Sequence, residues 1–318
     1  PIAHSLVVAH AGAPGQPFAV GFDRAGDRLA VGTDSGRVLI YATSTWKVEQ
    51  RLTVPVHSGP PAPTVSVAFS PSGDVVVAGV ADGRILRFRV PTGAALAAII
   101  AARPTAADPN PLSAVAYSPD GTQIAAAVAT SGAGAVTVFD ASTGARQYSV
   151  RDGYFASAVT FTPDGRTLIT GDGEGFGRFW NAATGRADGS PIRVDEGTVN
   201  SLAVDSAGVT LASAGTDGAT WLFDLKSRTE IGTPLGADPS TTTAALFVGR
   251  GDGSPLTLAT PNFGSRSATL TRWNLKAGYL AKRACRVARR NLTQLEWEQV
   301  LPNLPYAKVC AAYPLAAS

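Results

Sequence analysis

The stretch ASAVTFTPDGR, residues 156–166, decides the reading of this chain. Small and apolar residues run up to Phe161, and Thr-Pro-Asp-Gly (162–165) closes the run. In such a turn proline presets φ at the first corner, aspartate bonds back to its own backbone, and glycine supplies a positive φ. A second apolar run follows, ending in the small-residue turn Gly171–Gly177, and a third closes on Trp180-Asn181. Runs this short between turn signals predict β-strands, not helices.

Outward from this stretch, the same unit occurs six times. FAVGFDRAGD (18–27), TVSVAFSPSGD (64–74), LSAVAYSPDGT (112–122), VNSLAVDSAGV (199–209) and TAALFVGRGDG (243–253) repeat its opening. Its closing pair returns as Tyr41-Ala42, Phe88-Arg89, Phe139-Asp140, Phe223-Asp224 and Trp273-Asn274. Corresponding positions (Phe22, Phe69, Tyr117, Phe161, Val204, Phe247) are 43 to 48 residues apart. A propeller blade of four strands takes roughly 40–45 residues. One small twisted sheet cannot bury both of its faces, whereas radial stacking of several buries face on face and leaves only short edges.

These residues resemble the WD40-repeat family. The resemblance rests on the SPDG-type turns (Ser118–Gly121, Thr162–Gly165), the Asp-Gly turns (Asp82-Gly83, Asp217-Gly218) and the terminal pairs, and covers roughly residues 4 to 275. It implies an all-β propeller over 1–275, with six blades, alternatively seven, and a protein-binding role. No copy has a true Trp-Asp, and the family's Gly-His is missing, with Gly153-Tyr154 its nearest equivalent. The resemblance therefore implies that the family's His–Ser–Asp–Trp hydrogen-bond network is mostly absent here. Ring closure is expected from His4–His10 acting as the outer strand of the last blade, which ends at Trp273-Asn274 without one of its own.

After Leu275 the period changes. Leu280, Ala284, Val287 and Ala288 fall at helical spacing, and Thr293–Glu296 has the form of a capping box. This predicts a short helical appendage over 276–318. Ala284-Cys285-Arg286, Arg290–Thr293, Glu296-Trp297, Leu301-Pro302, Pro305-Tyr306 and Cys310 resemble the appendage that follows WD40 regions in large bacterial multidomain signalling proteins with STAND-type NTPase modules upstream. The resemblance implies a sensing or interaction end of such a protein. Cys285 and Cys310 are the two cysteines, and they bracket the appendage. They are read as a disulfide, which favours an extracytoplasmic location; the alternative is two reduced, buried thiols and a cytoplasmic one. Lys282, Arg283, Arg286, Arg289 and Arg290 form a basic patch for an acidic partner or anionic lipid, or else the solvated face of an amphipathic helix.

The 318 residues carry a net charge of +3 with arginines scattered outside that patch, which points away from nucleic acid. No apolar run is long enough for a transmembrane helix. The chain starts at Pro1 and holds no methionine, so it is expected to be a fragment or processed form. His4, His10 and His57 stand at no ligand spacing, no nucleophile motif is legible, and neither metal nor cofactor is expected. Arg250–Asp252 is an RGD triplet within a turn, and Asn291–Thr293 fits both a glycosylation sequon and a helix stop. The reading is a non-catalytic interaction module; the alternative is a small-ligand or hydrolytic propeller using its central channel. Partner contact is expected on the rim formed by the turns before each inner strand and the Asp-Gly turns, at Phe18, Thr33, Phe155, Asp172, Asn200 and Thr216.

Overall fold

The computed structural model describes residues 17–53, 62–109, 111–130, 133–235, 241–242, 244–248, 257–263 and 268–274, with residues 291, 293, 294 and 310. The chain divides into two compact units, Pro1–Ala245 with Thr260–Thr269, and Leu246–Ala259 with Leu270–Ser318.

Five of the repeats form five antiparallel four-stranded sheets in the first unit, each in simple meander order. The first holds β1 (Pro17–Phe22), β2 (Arg28–Thr33), β3 (Arg37–Ala42) and β4 (Lys47–Thr53). The second holds β5 (Thr64–Phe69), β6 (Val75–Val80), β7 (Arg84–Arg89) and β8 (Ile99–Ile100). The third holds β9 (Leu112–Tyr117), β10 (Gln123–Thr130), β11 (Ala133–Asp140) and β12 (Arg146–Arg151). The fourth, from the decisive stretch, holds β13 (Ala156–Phe161), β14 (Thr167–Asp172), β15 (Phe176–Asn181) and β16 (Ile192–Arg193). The fifth holds β17 (Val199–Val204), β18 (Thr210–Gly215), β19 (Thr220–Asp224) and β20 (Thr229–Glu230). Beyond these lie β21 (Thr241–Thr242), β22 (Leu246–Val248), β23 (Thr257–Phe263) and β24 (Ala268–Asn274).

The stacking follows from burial on both faces. Val76 and Val77 are neighbours on β6 and point to opposite sides, yet both are fully buried. Val76 joins a core with Val38, Ile40 and Leu52 of the first sheet, while Val77 joins one with Ile124 and Phe139 of the third. Each such side chain contributes roughly 1.5–3 kcal/mol by leaving water, so the stacked sheets stabilise one another. First strands pack in series, β1 on β5, β5 on β9, β9 on β13 and β13 on β17. Their turns nest likewise: a methyl added at Gly121, Gly165 or Gly208 would meet Pro71, Pro119 or Pro163 of the preceding sheet at 3.2, 3.7 and 3.6 Å. Turn ends from all five sheets line one cavity of about 350 Å³, walled by Phe22, Phe69, Tyr117 and the three prolines, with Arg24 at its edge.

The turn chemistry is as the motif demands. Thr162 Oγ1 accepts from Thr167 N at 3.1 Å and donates to Asp164 Oδ1, which accepts from Arg166 N at 3.0 Å. Gly165 has φ of 70°. Gly165→Ala is expected to cost about 1 kcal/mol, because its methyl has room and the left-handed backbone alone is penalised. Urea unfolding checks this; an unchanged midpoint would show that the turn does not need a positive φ. The closing pairs also have a local job. Asp140 Oδ1 accepts from the backbone of Ser142 and Thr143, and Asn181 Oδ1 from Ala183 and Thr184, each fastening the turn to the outer strand.

In the second unit β22 pairs with the start of β23 through Leu246↔Ala259. Asn291 and Cys310 are buried and clasp each other, Cys310 N donating to Asn291 Oδ1 at 2.7 Å and Asn291 Nδ2 to Cys310 O at 3.2 Å. An amide so engaged is not open to glycosylation. No cysteine is free among the described residues. Cys285, the basic patch Lys282, Arg283, Arg286, Arg289 and Arg290, the strand expected at His4–His10 and the Arg250–Asp252 triplet lie outside the described residues.

Candidate functional site

The fourth and fifth sheets bring several of the expected rim residues onto one continuous edge. Phe155, just ahead of β13, packs against Gly173 in the turn after β14, and Gly173 N donates to Phe155 O at 2.9 Å. Gly173 O in turn accepts from Thr198 Oγ1 at 3.2 Å. Thr198 N donates to Thr216 Oγ1 at 2.9 Å. Phe155 and Thr216 are exposed, and Asn200 on β17 is half-buried. Tyr154, which the rim reading overlooked, is the most exposed large side chain there at 61 %, beside Phe155 at 39 %. The side chain of Phe18 lies outside the described residues.

Thr33 and Asp172 require correction as contact residues, since both are fully buried. Thr33 Oγ1 accepts from Arg37 N at 3.1 Å and closes the turn between β2 and β3. Asp172 Oδ1 accepts from Glu174 N and Phe176 N, both at 2.9 Å, and its Oδ2 accepts from Arg178 Nη1. A side chain spent on turn backbone supports the rim from beneath and offers a partner nothing.

Below the Tyr154-Phe155 tip lies a polar network that lacks the family's histidine. Trp180 Nε1 donates to Thr170 Oγ1 at 3.0 Å, and Thr170 Oγ1 donates to Asp152 Oδ1 at 2.6 Å. Arg178 Nη1 reaches Asp152 Oδ1 at 3.2 Å as well as Asp172. A carboxylate thus takes the part that the resemblance gives to histidine, directly ahead of Gly153-Tyr154. Asp152 is fully buried and its Oδ2 has no partner. Burial pushes its carboxyl up to about 6 against the opposing pull of Thr170 and Arg178.

The next sheet repeats the aspartate without its partners. Asp195 precedes Val204 by the same nine residues that separate Asp152 from Phe161, and Asp108 precedes Tyr117 likewise. By register Ser213 stands in the place of Thr170, Trp221 in that of Arg178 and Phe223 in that of Trp180. The arginine and the indole relay are therefore lost together. Asp195 Oδ1 accepts from Gly197 N at 2.9 Å, while Asp195 Oδ2 and Ser213 Oγ are buried without partners. Burial, reinforced by Asp217 and Glu196 nearby, pushes Asp195 up to about 7 despite the Gly197 hydrogen bond.

No group of three or more histidine, cysteine or acidic side chains among the described residues could hold a metal ion. No helix among them is long and apolar enough to cross a membrane. No curated protein matches the chain. A family model described as WD domain, G-beta repeat, matches residues 49–87, from within β4 of the first sheet into β7 of the second. That match, with antiparallel sheets of four strands stacked in series, supports a WD40-type propeller, an architecture whose repeats generally mediate protein–protein interaction.

Proposed function

We propose that this chain is a non-catalytic protein-interaction or sensing module of a larger bacterial signalling protein, and that it engages a protein or peptide partner through the rim of the fourth and fifth sheets. The observation that carries the reading is Tyr154-Phe155. Two aromatic side chains stand exposed on a tip whose base is a buried ion-paired network. Aromatic anchors on a rigid support bind with little ordering cost. The wider reading keeps six blades closed by His4–His10, a propeller over 1–275, an appendage over 276–318 stapled by Cys285–Cys310, and a STAND-type parent; the repeat pattern and the appendage motifs support it.

Phe155→Ala, with Tyr154→Ser as its companion, is expected to weaken capture of the parent's other domains by tenfold or more, on the order of 1.4 kcal/mol or above. Both side chains are exposed, so the melting temperature should hold. Undiminished capture by both variants and by Thr216→Ala would rule out this rim.

A further inference from the structure

On its outer side, the rim between the fourth and fifth sheets falls into a dent of about 120 Å³ lined by Arg193, Asp195, Glu196, Trp221 and Glu230. Three acidic residues and one arginine line it, and that guanidinium, though within ion-pair reach of Glu196, is also held by backbone carbonyls and a ring. Arg193 Nη1 donates to Glu174 O and Asp195 O at 3.4 and 3.3 Å, and its guanidinium lies 4.9 Å from the Phe176 ring centroid. Glu196 stands 3.8 Å from it and is itself largely exposed. Trp221 is pinned by its indole N–H, which donates to Asp217 Oδ2 at 2.7 Å, so the ring is held at a fixed angle in the wall.

The lining asks for a hydrogen-bond donor. Asp195 is 1 % exposed with Oδ2 unpartnered, and Ser213 Oγ on the adjoining strand is unpartnered too. In the fourth sheet Asp152 leaves its Oδ2 unpartnered as well, but there its Oδ1 takes a hydroxyl and a guanidinium, Thr170 and Arg178, in place of the single backbone amide on Asp195. In the fifth sheet the arginine's place is taken by Trp221, which lines the dent and supplies an aromatic wall. An anion is excluded by the carboxylates, and a metal ion by the lack of a ligating group of three. Carboxylates beside an indole suit an organic cation, drawn by charge and by the ring quadrupole.

We infer that the dent between Trp221, Glu196, Glu230 and Asp195 binds a primary alkylammonium group, the side chain of a lysine on the segment that lies along the rim. The inference rests on the interaction reading and names the chemistry of the partner. The dent adjoins that rim, because Glu196 and Thr198 belong to the same loop and Thr198 bonds to Gly173 beside Phe155. The charged groups facing Asp195 are Asp217, Glu196, Glu230 and Arg193. Since Asp195 is pushed up to about 7, an incoming ammonium favours its ionised form, releases a proton, and binds more tightly at pH 8 than at pH 6.

The probe is n-butylammonium chloride, titrated into the full chain by calorimetry at constant ionic strength, with n-butanol as the neutral control. Saturable millimolar binding is expected, with proton release near pH 7, weakening by about fivefold in Glu230→Gln and loss in Trp221→Leu. Glu230 is exposed, so Glu230→Gln keeps the test sound if Trp221→Leu folds poorly. Failure of n-butylammonium to saturate, equal binding of n-butanol, or an unchanged affinity in Glu230→Gln would overturn the inference. The titration needs no partner: if the dent stays empty while Phe155→Ala still strips the partner, the lysine assignment alone falls.

Discussion

Arg178→Ala is expected to destabilise the protein by about 3–5 kcal/mol at pH 7.5, the usual cost of stranding buried charge. Asp152 and Asp172 are both without solvent exposure, and this one guanidinium serves both. Truncation leaves two carboxylates in a space that Thr170 and two turn amides only partly satisfy. The cost should shrink at pH 4.5, because Asp152, already pushed up to about 6 with the arginine present, then carries a proton. Arg178→Lys should recover only part of the loss, since an ammonium is a compact point charge on a flexible stem and not a rigid fork. Urea unfolding at the two pH values measures this. A loss below about 1 kcal/mol at pH 7.5 would mean that water or a proton already neutralises the site.

The same network marks where the sequence stops being legible. The turn at Thr162–Gly165 could be read because each residue type in it does a separate local job, and the hydrogen bonds found there are those jobs. Trp180-Asn181 could be read because a strand-closing aromatic recurs at fixed spacing. Asp152 could not. A single aspartate nine residues ahead of an aromatic has no local signature, and its partners Thr170 and Arg178 are recruited only by cross-strand register. One signal was available: Asp108, Asp152 and Asp195 recur in phase with the repeat, which solvated loop carboxylates have no reason to do. Thr33 and Asp172 differ from their expected exposure for a related reason. Position placed Thr33 and Asp172 where β2 and β14 enter their turns, but whether such a side chain faces out or bonds back to the backbone depends on the turn's own hydrogen bonds. The outer strands β8, β16 and β20 are two residues long, too short for any period to show.

Asp195→Asn is expected to stabilise the protein at pH 8 by about 2–4 kcal/mol and to change little at pH 3.5. The group's folded value is about 7 against an ordinary 3.8. Below 3.8 both folded and unfolded chains hold the proton, and the carboxyl costs nothing. Between 3.8 and about 7 the folded chain binds more protons than the unfolded one, so its stability falls as pH rises. Above 7 both are ionised and the full cost of a buried, poorly partnered charge remains. An amide is neutral throughout, and its N–H₂ supplies the donor that this pocket lacks beside Ser213. Urea midpoints measured from pH 3.5 to 8 should therefore diverge between the two chains across that window; parallel profiles would show that Asp195 is already satisfied. The fifth sheet thus holds a carboxylate where an amide is the more stable choice, and a group placed against stability is where function is found. Saturating n-butylammonium should then raise the midpoint of the unsubstituted chain at pH 8 and narrow its gap to the Asp195→Asn variant, because a bound cation supplies the charge that the fold withholds.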